Sequence, residues 1–223
     1  IVKNSKIVII ATPILDVKDI FEAINESILT NNIANLVITD TSSTKSKIID
    51  WANSILSKDA VFIGSHPMAG STEVGPNYSD GSIFEDSRWV ITPTKNTPQH
   101  AIKTILSLIE AMGAEPMFMD ANEHDSYVAA ISHMPLFAQI ALFALAKDSN
   151  AWAELSMLAS SGFKSASRLV GTNPSLAFDI NETNQVNIVH WIERYMEELQ
   201  KIKLLLQDSE NKEELFRFIG AMH

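Results

Sequence analysis

The first half of the chain alternates short β-branched runs with stretches of helical period. Ile7-Val8-Ile9-Ile10-Ala11 reads as a buried parallel strand followed by Thr12-Pro13. Behind Asp16, a candidate N-cap, the apolar positions Val17, Ile20, Phe21, Ile24 and Ile28 recur at helical spacing. Leu36-Val37-Ile38-Thr39-Asp40 predicts a second strand, the stretch from about Thr44 to Leu56 a second helix, and Val61-Phe62-Ile63-Gly64 a third strand. This alternation implies a parallel sheet with right-handed crossovers. Trp89-Val90-Ile91-Thr92 and Met117-Phe118-Met119 extend it around a helix, Ala101 to Met112, that stops at Gly113.

Beyond about residue 120 the strand signal ends. Glu123 to Ala146 is apolar on nearly every face, as expected of a central helix. Its stretch from Ala129 to Ala146 has the length of a membrane span, but Ser132, His133, Pro135 and Gln139 interrupt it, so it is expected to lie buried between other helices. Val189, Ile192, Met196, Leu199 and Leu206 keep near-heptad spacing with Lys203 interrupting it, which predicts a long helix packed on another. A boundary near Asp120 divides the chain into residues 1–119 and 120–223.

With 223 residues, 46% of them hydrophobic, the chain can bury a sizeable core. A formal net charge of −10 with no local basic cluster repels phosphate backbones and anionic lipid, so neither nucleic acid nor a membrane is expected as a partner. The absence of cysteine excludes disulfides and thiolate metal sites and fits a reducing cytoplasm. The opening Ile1-Val2-Lys3-Asn4 carries no initiator Met and no targeting pattern. The Gly-x-Gly-x-x-Gly turn of a dinucleotide fold is not in the sequence, and the first strand resembles the fourth of such a fold; the expectation is that the preceding βαβ unit lies upstream.

Gly64-Ser65-His66-Pro67-Met68-Ala69-Gly70-Ser71 is the densest candidate string, placed beyond a strand's carboxyl end, where open α/β sheets bind ligands. Small residues on both sides of His66 let a substrate approach its imidazole, a base near neutral pH; the alternative is a structural loop whose His binds a backbone carbonyl. Asp40-Thr41-Ser42-Ser43-Thr44-Lys45 occupies the equivalent turn after the preceding strand, where a hydroxyl either reaches the same crevice or caps the next helix. Ser42-x-x-Lys45 matches the acylating motif of penicillin-binding enzymes by chance, since neither Ser-Asp-Asn nor Lys-Thr-Gly follows. On a regular helix His124 and His133 fall on opposite faces, and Asp125 lies about 12 Å from His133 along the axis, so no metal site is expected. His133 is then a satisfied core histidine or part of a substrate pocket. Arg168, in a polar break between helical stretches, is either a solvated side chain or a bidentate grip on a substrate carboxylate.

The ordered set Ala11-Thr12-Pro13, Asp40 to Lys45, Ser65-His66-Pro67-Met68-Ala69-Gly70, His124-Asp125, Ser132-His133-Met134-Pro135 and Gly162-Phe163 through Arg168 resembles the prephenate/arogenate dehydrogenases nearly end to end. The resemblance implies a Rossmann-like α/β nucleotide-binding domain followed by an all-α domain that dimerises, and NAD or NADP as cofactor. The implied activity is oxidative decarboxylation of arogenate or prephenate on the way to tyrosine. By the same resemblance His66 takes the ring hydroxyl proton and Ser43 is hydrogen-bonded to it. Thr12 and Pro13 lie beside the nicotinamide, Arg168 grips a substrate carboxylate, and Ser71, Thr72, His133 and Leu136 line the substrate pocket. The chain departs from many prephenate-using relatives at Leu136, where they carry His; at Thr72, where they carry Glu, with Glu73 one place later; and at Ala177, where some carry Trp. These departures look more like the cyanobacterial arogenate-type branch. The competing readings are another β-hydroxyacid-type dehydrogenase, which places a Lys near the nicotinamide in its helical region, and a dimeric tyrosine-binding homologue without turnover.

Overall fold

The computed structural model describes residues 2–70, 75–207 and 212–222. A five-stranded sheet runs in the order β1 (Ile7–Ile10), β2 (Leu36–Asp40), β3 (Ala60–Pro67), β4 (Arg88–Thr92), β5 (Glu115–Phe118). Helices α1 (Val17–Asn31) and α2 (Ser46–Ile55) make the crossovers that keep β1, β2 and β3 parallel. β4 then turns back: it pairs antiparallel to β3, with Gly64 opposite Thr92 and His66 opposite Val90. The expectation of a parallel sheet is corrected here: among the described residues the connection from β3 to β4 holds two 3-10 helices, Pro76–Tyr78 and Gly81–Phe84, and no α-helix, and an antiparallel partner needs no crossover helix. Helix α3 (Gln99–Ala111) restores the parallel direction between β4 and β5 and ends at Gly113, whose φ of 72° suits a residue without Cβ.

Side chains alternate across the buried β2, so Val37 joins a core with Ile63, Trp89, Ile91 and the α3 residues Ala101, Ile105 and Ile109. Ile38 faces the opposite core with Val17, Phe21, Ile24 and Ile28 of α1 and Ile48 of α2. Each such fully buried aliphatic or aromatic side chain stabilises the fold by about 1.5–3 kcal/mol. Asp16 precedes α1 as expected, but its side chain makes no cap bond. β1 is less buried than its composition predicts, because it forms one edge of the sheet and Ile9 is 41% exposed.

The helical region opens with α4 (Ala121–Val128), capped by the Asp120 carboxylate. It continues through a π-helical turn (Ala129–His133) into α5 (Met134–Lys147). Helices α6 (Trp152–Leu158) and α7 (Ser161–Ala166), a 3-10 turn (Arg168–Gly171), the long α8 (Pro174–Gln207) and α9 (Lys212–Gly220) follow. α8 carries a kink at Asn184, whose φ and ψ of −141° and 22° are not helical. The expectation that Ala129 to Ala146 lies buried between helices does not hold over most of its length: Ile131 and Leu145 are more than 70% exposed, and Leu136 alone is buried in α5. Ala121–Lys147 is long and apolar enough to cross a membrane by length and composition. Of its polar residues, Asn122, His124 and Asp125 bond to the sheet domain, and His133 and Gln139 bond to other helical segments. Of the near-heptad stripe on α8, Ile192 packs on the first core while Val189, Met196, Leu199 and Leu206 stay exposed.

Candidate functional site

The carboxyl ends of β1, β2 and β3 and the helical region enclose a cavity of about 710 Å³. Its wall brings together Thr12 and Pro13 after β1, Ser43 after β2, His66 to Gly70 at the end of β3, His133 and Leu136 at the π-turn, and Arg168. Seven of the nine candidate residues therefore meet in one place. Ser71 and Thr72, with Glu73, lie outside the described residues. His66 does not sit in a loop beyond the strand, as the sequence pattern predicts, but within it: pairing with β4 carries β3 through Pro67 and fixes the backbone on which His66 stands.

Beneath His66 lies a buried polar network that ties the sheet to the helices. Lys45, fully buried, forms an ion pair with the Asp40 carboxylate, and its Nζ donates to the Ser65 carbonyl at 2.7 Å. Asp40 also accepts from the Ser65 and Ser42 backbone N–H groups at 3.0 Å each, and its own carbonyl accepts from Ser65 Oγ at 2.6 Å. Burial pulls the Lys45 ammonium below its usual pKa, against the pull of Asp40. This pairing, with the Ser42 hydroxyl making no hydrogen bond among the described residues, leaves the Ser42-x-x-Lys45 spacing without acylation chemistry.

Neither Ser nor Thr caps α2. Asp125, on α4 and 80 residues away, takes that place: its Oδ1 accepts from Lys45 N at 2.7 Å and its Oδ2 from Ser46 N at 2.8 Å. A carboxylate at a helix N-terminus satisfies orphan donors and meets the positive end of the dipole. Asp125 Oδ1 also lies 2.9 Å from His124 Nδ1, and His124 Nε2 lies 2.9 Å from His66 Nδ1. Burial alone would push the Asp125 carboxyl up; hydrogen bonds from His124, Ser46 and Lys45 outweigh it and hold the group below its usual value. His66 is therefore bonded to His124 on its Nδ1 side, and among the described residues Ser43 shares the cavity wall with it without a hydrogen bond between them. Burial, then the charge of Lys45 and the neighbouring His124 and His133, hold His66 well below the ordinary histidine pKa.

His133 is a satisfied buried histidine that also lines the cavity. Asn184, at the α8 kink, directs its Nδ2 at the Asp125 carbonyl (2.7 Å) and at His133 Nδ1 (3.2 Å). An amide N–H donates only, so His133 Nδ1 is the acceptor and its Nε2 carries the proton. Burial holds this ring at a pKa of about 4, neutral near pH 7. The cavity thus contains a histidine fixed as an N–H donor. The helix between His124 and His133 is not regular, since the π-turn lies between them, and both rings are buried. Among the described residues no cluster of His, Asp or Glu is placed to hold a metal ion.

Arg168 opens the 3-10 turn, and the next residue is tied to α5 by Leu169 N donating to Gln139 Oε1 at 2.8 Å. α8 is tied to the sheet by Thr44 Oγ1 donating to Thr183 Oγ1 at 2.9 Å and by Leu15 N donating to the Asp179 carboxylate at 3.4 Å. Asn184, Lys45 and the capping role of Asp125 are not apparent from motif reading. An asparagine inside a long helical pattern, where its propensity is poor, is the one signal that pointed to the kink.

Two family models cover nearly the whole chain: the prephenate dehydrogenase nucleotide-binding domain over residues 1–117 and the prephenate dehydrogenase dimerization domain over residues 120–221. The chain is 30% identical to the prephenate dehydrogenase of Bacillus subtilis over 97% of its own length, and spans 58% of that protein. Among solved structures it is similar to Synechocystis arogenate dehydrogenase (27% identity, TM-score 0.82, covering 99% of this chain and 77% of that one). It is also similar to A. aeolicus prephenate dehydrogenase in complex with hydroxyphenyl propionate and NAD+ (26%, TM-score 0.89, 97% and 74%). With both domain models laid end to end along it, the chain belongs to the prephenate dehydrogenase family.

Proposed function

We propose that the chain carries the nicotinamide-proximal part of the nucleotide-binding domain, residues 1–119, and the substrate and dimerisation domain, residues 120–223, of a homodimeric dehydrogenase that oxidatively decarboxylates arogenate or prephenate with NAD or NADP. The observation that carries this reading is the cavity itself: His66, bonded on its Nδ1 side, shares one wall with Thr12 and Pro13 and another with Arg168. A site at the carboxyl edge of a parallel sheet suits the nicotinamide end of a dinucleotide, with Thr12 and Pro13 beside it. A nicotinamide bound there supplies a hydride acceptor for the carbinol carbon.

The chain's own residues do the rest. Arg168 holds a substrate carboxylate, and the His133 N–H donates to a second polar group. His66 takes the proton of the ring hydroxyl as the carbon beneath it becomes a carbonyl. When the bond to the ring carboxylate breaks, its electrons pass into the ring and onto that oxygen, which regains a proton as a phenol while carbon dioxide leaves. Ser43 stands on the same wall as His66 and reaches the hydroxyl end of the substrate. Among the described residues the cavity wall holds no lysine, which weighs against a β-hydroxyacid-type dehydrogenase.

His66→Asn is expected to lower turnover by roughly two to four orders of magnitude, the usual contribution of a positioned base, with little change in cofactor affinity. Steady-state kinetics with both substrates check this, and near-normal turnover removes His66 from the role.

A further inference from the structure

His66 has two ring nitrogens, and only a lone pair on the one facing the substrate makes it a base. We propose that His124 and Asp125 are positioning residues that fix His66 as its Nδ1–H tautomer, leaving the Nε2 lone pair for the substrate hydroxyl; this rests on His66 being the base. The assignment follows from counting protons along three groups. The Asp125 carboxylate can only accept, and its oxygens already take the Lys45 and Ser46 backbone N–H groups. The contact of 2.9 Å with His124 therefore places the proton on His124 Nδ1. A neutral His124 then offers only a lone pair at Nε2, which lies 2.9 Å from His66 Nδ1, so the proton between the two rings belongs to His66. The rings meet edge to face, with centroids 5.2 Å apart and planes 80° from parallel. A second proton on His124 would reverse that bond.

The couple is also rigid. Asp125 cannot turn away without uncapping α2, and its backbone carbonyl is held by Asn184 at 2.7 Å. His124 is 1% exposed and has no room to rotate into solvent. When His66 accepts a proton at Nε2, its Nδ1–H still points to His124, so the imidazolium forms with no rearrangement of its surroundings.

Nitrogen-15 NMR of histidine-labelled protein tests this directly, with the His66 signals identified by their loss in His66→Asn. The wild type is expected to show a pyrrole-like Nδ1 and a pyridine-like Nε2 at His66. His124→Leu, which removes the acceptor and leaves the Asp125 cap in place, should abolish that preference and lower kcat by roughly 100-fold at nearly constant KM. This is less than the roughly 10⁴-fold that a wrong tautomer costs in a Ser-His-Asp triad, because the Nδ1–H form is still populated without being enforced. His124→Gln can donate its amide to Asp125 and accept from His66 with its oxygen, so it should restore the tautomer and most of the lost kcat. A wild-type spectrum with the proton on Nε2, or a His124→Leu protein that keeps the Nδ1–H form, overturns the proposal. If His124→Leu does not fold, the wild-type and His124→Gln spectra still decide. Normal turnover in His66→Asn with the tautomer as assigned defeats the catalytic reading instead, so the two failures are distinguishable.

Discussion

Arg168 and Leu136 line the same cavity as His66. Arg168→Ala is expected to raise KM far more than it lowers kcat, by an amount equivalent to about 2–5 kcal/mol if the carboxylate contact is desolvated; an unchanged KM returns Arg168 to the solvated surface. Leu136 is 5% exposed and offers no hydrogen bond where prephenate-using relatives carry a donor. A keto acid side chain there leaves a polar group unpaired at about 1–3 kcal/mol, whereas arogenate brings an ammonium beside its own carboxylate. The expected preference is for arogenate, and Leu136→His should improve the specificity constant for prephenate by about tenfold; equal use of both substrates by the unmodified enzyme defeats this. These residues were legible because each lies in a short motif. Lys45 and Asp125 also lie in such motifs, but their roles were not legible, since they depend on contacts across 20 and 80 residues that no local pattern encodes.

At the scale of elements, two local irregularities build the site: the π-turn that carries His133 and the α8 kink that carries Asn184. Hydrophobic periodicity located the five strands and α1, α2, α3 and α8, ran α4 and α5 together, and gave no bounds for α6, α7 or α9; β2 coincides with its predicted bounds. It did not reveal the direction of β4, because alternation is the same for parallel and antiparallel strands, nor the π-turn, because one widened turn inside a uniformly apolar stretch leaves no phase to read. The buried histidines have a consequence for stability. With the folded pKa of His133 at about 4 and an unfolded value near 6.5, the unfolded chain binds the extra proton, so stability is retained above about pH 6.5 and lost as pH falls towards 4. This single ring accounts for about 3 kcal/mol at the acid end, and His66 acts in the same direction. His133→Gln, which keeps a partner for Asn184, should flatten the decline; denaturant midpoints across this pH range check it, and parallel curves for both proteins refute the assignment.

At the scale of the molecule, the faces that sequence periodicity marked as buried are left bare. Leu145 of α5, Met157 and Leu158 of α6, and Val186 and Met196 of α8 are each more than 60% exposed, and the near-heptad stripe of α8 has no helix lying on most of it. The hydrophobic pattern was read as helices packed on other helices of the chain, which these exposures do not bear out, because period and composition report an apolar face without reporting what covers it. The dimerization model over residues 120–221 supports a second copy as the cover. Both α5 and α8 contribute a bare face and a cavity residue, Leu136 and Ile180 respectively. A two-fold interface repeats each contact, so one charge introduced on this face is introduced twice. Leu158→Arg combined with Met196→Lys is therefore expected to halve the mass found by sedimentation at micromolar concentration, to leave the helical content unchanged, and to raise KM as α5 and α8 lose their support. A wild-type protein that sediments as a monomer, or a double variant that stays dimeric, would assign these faces to another partner.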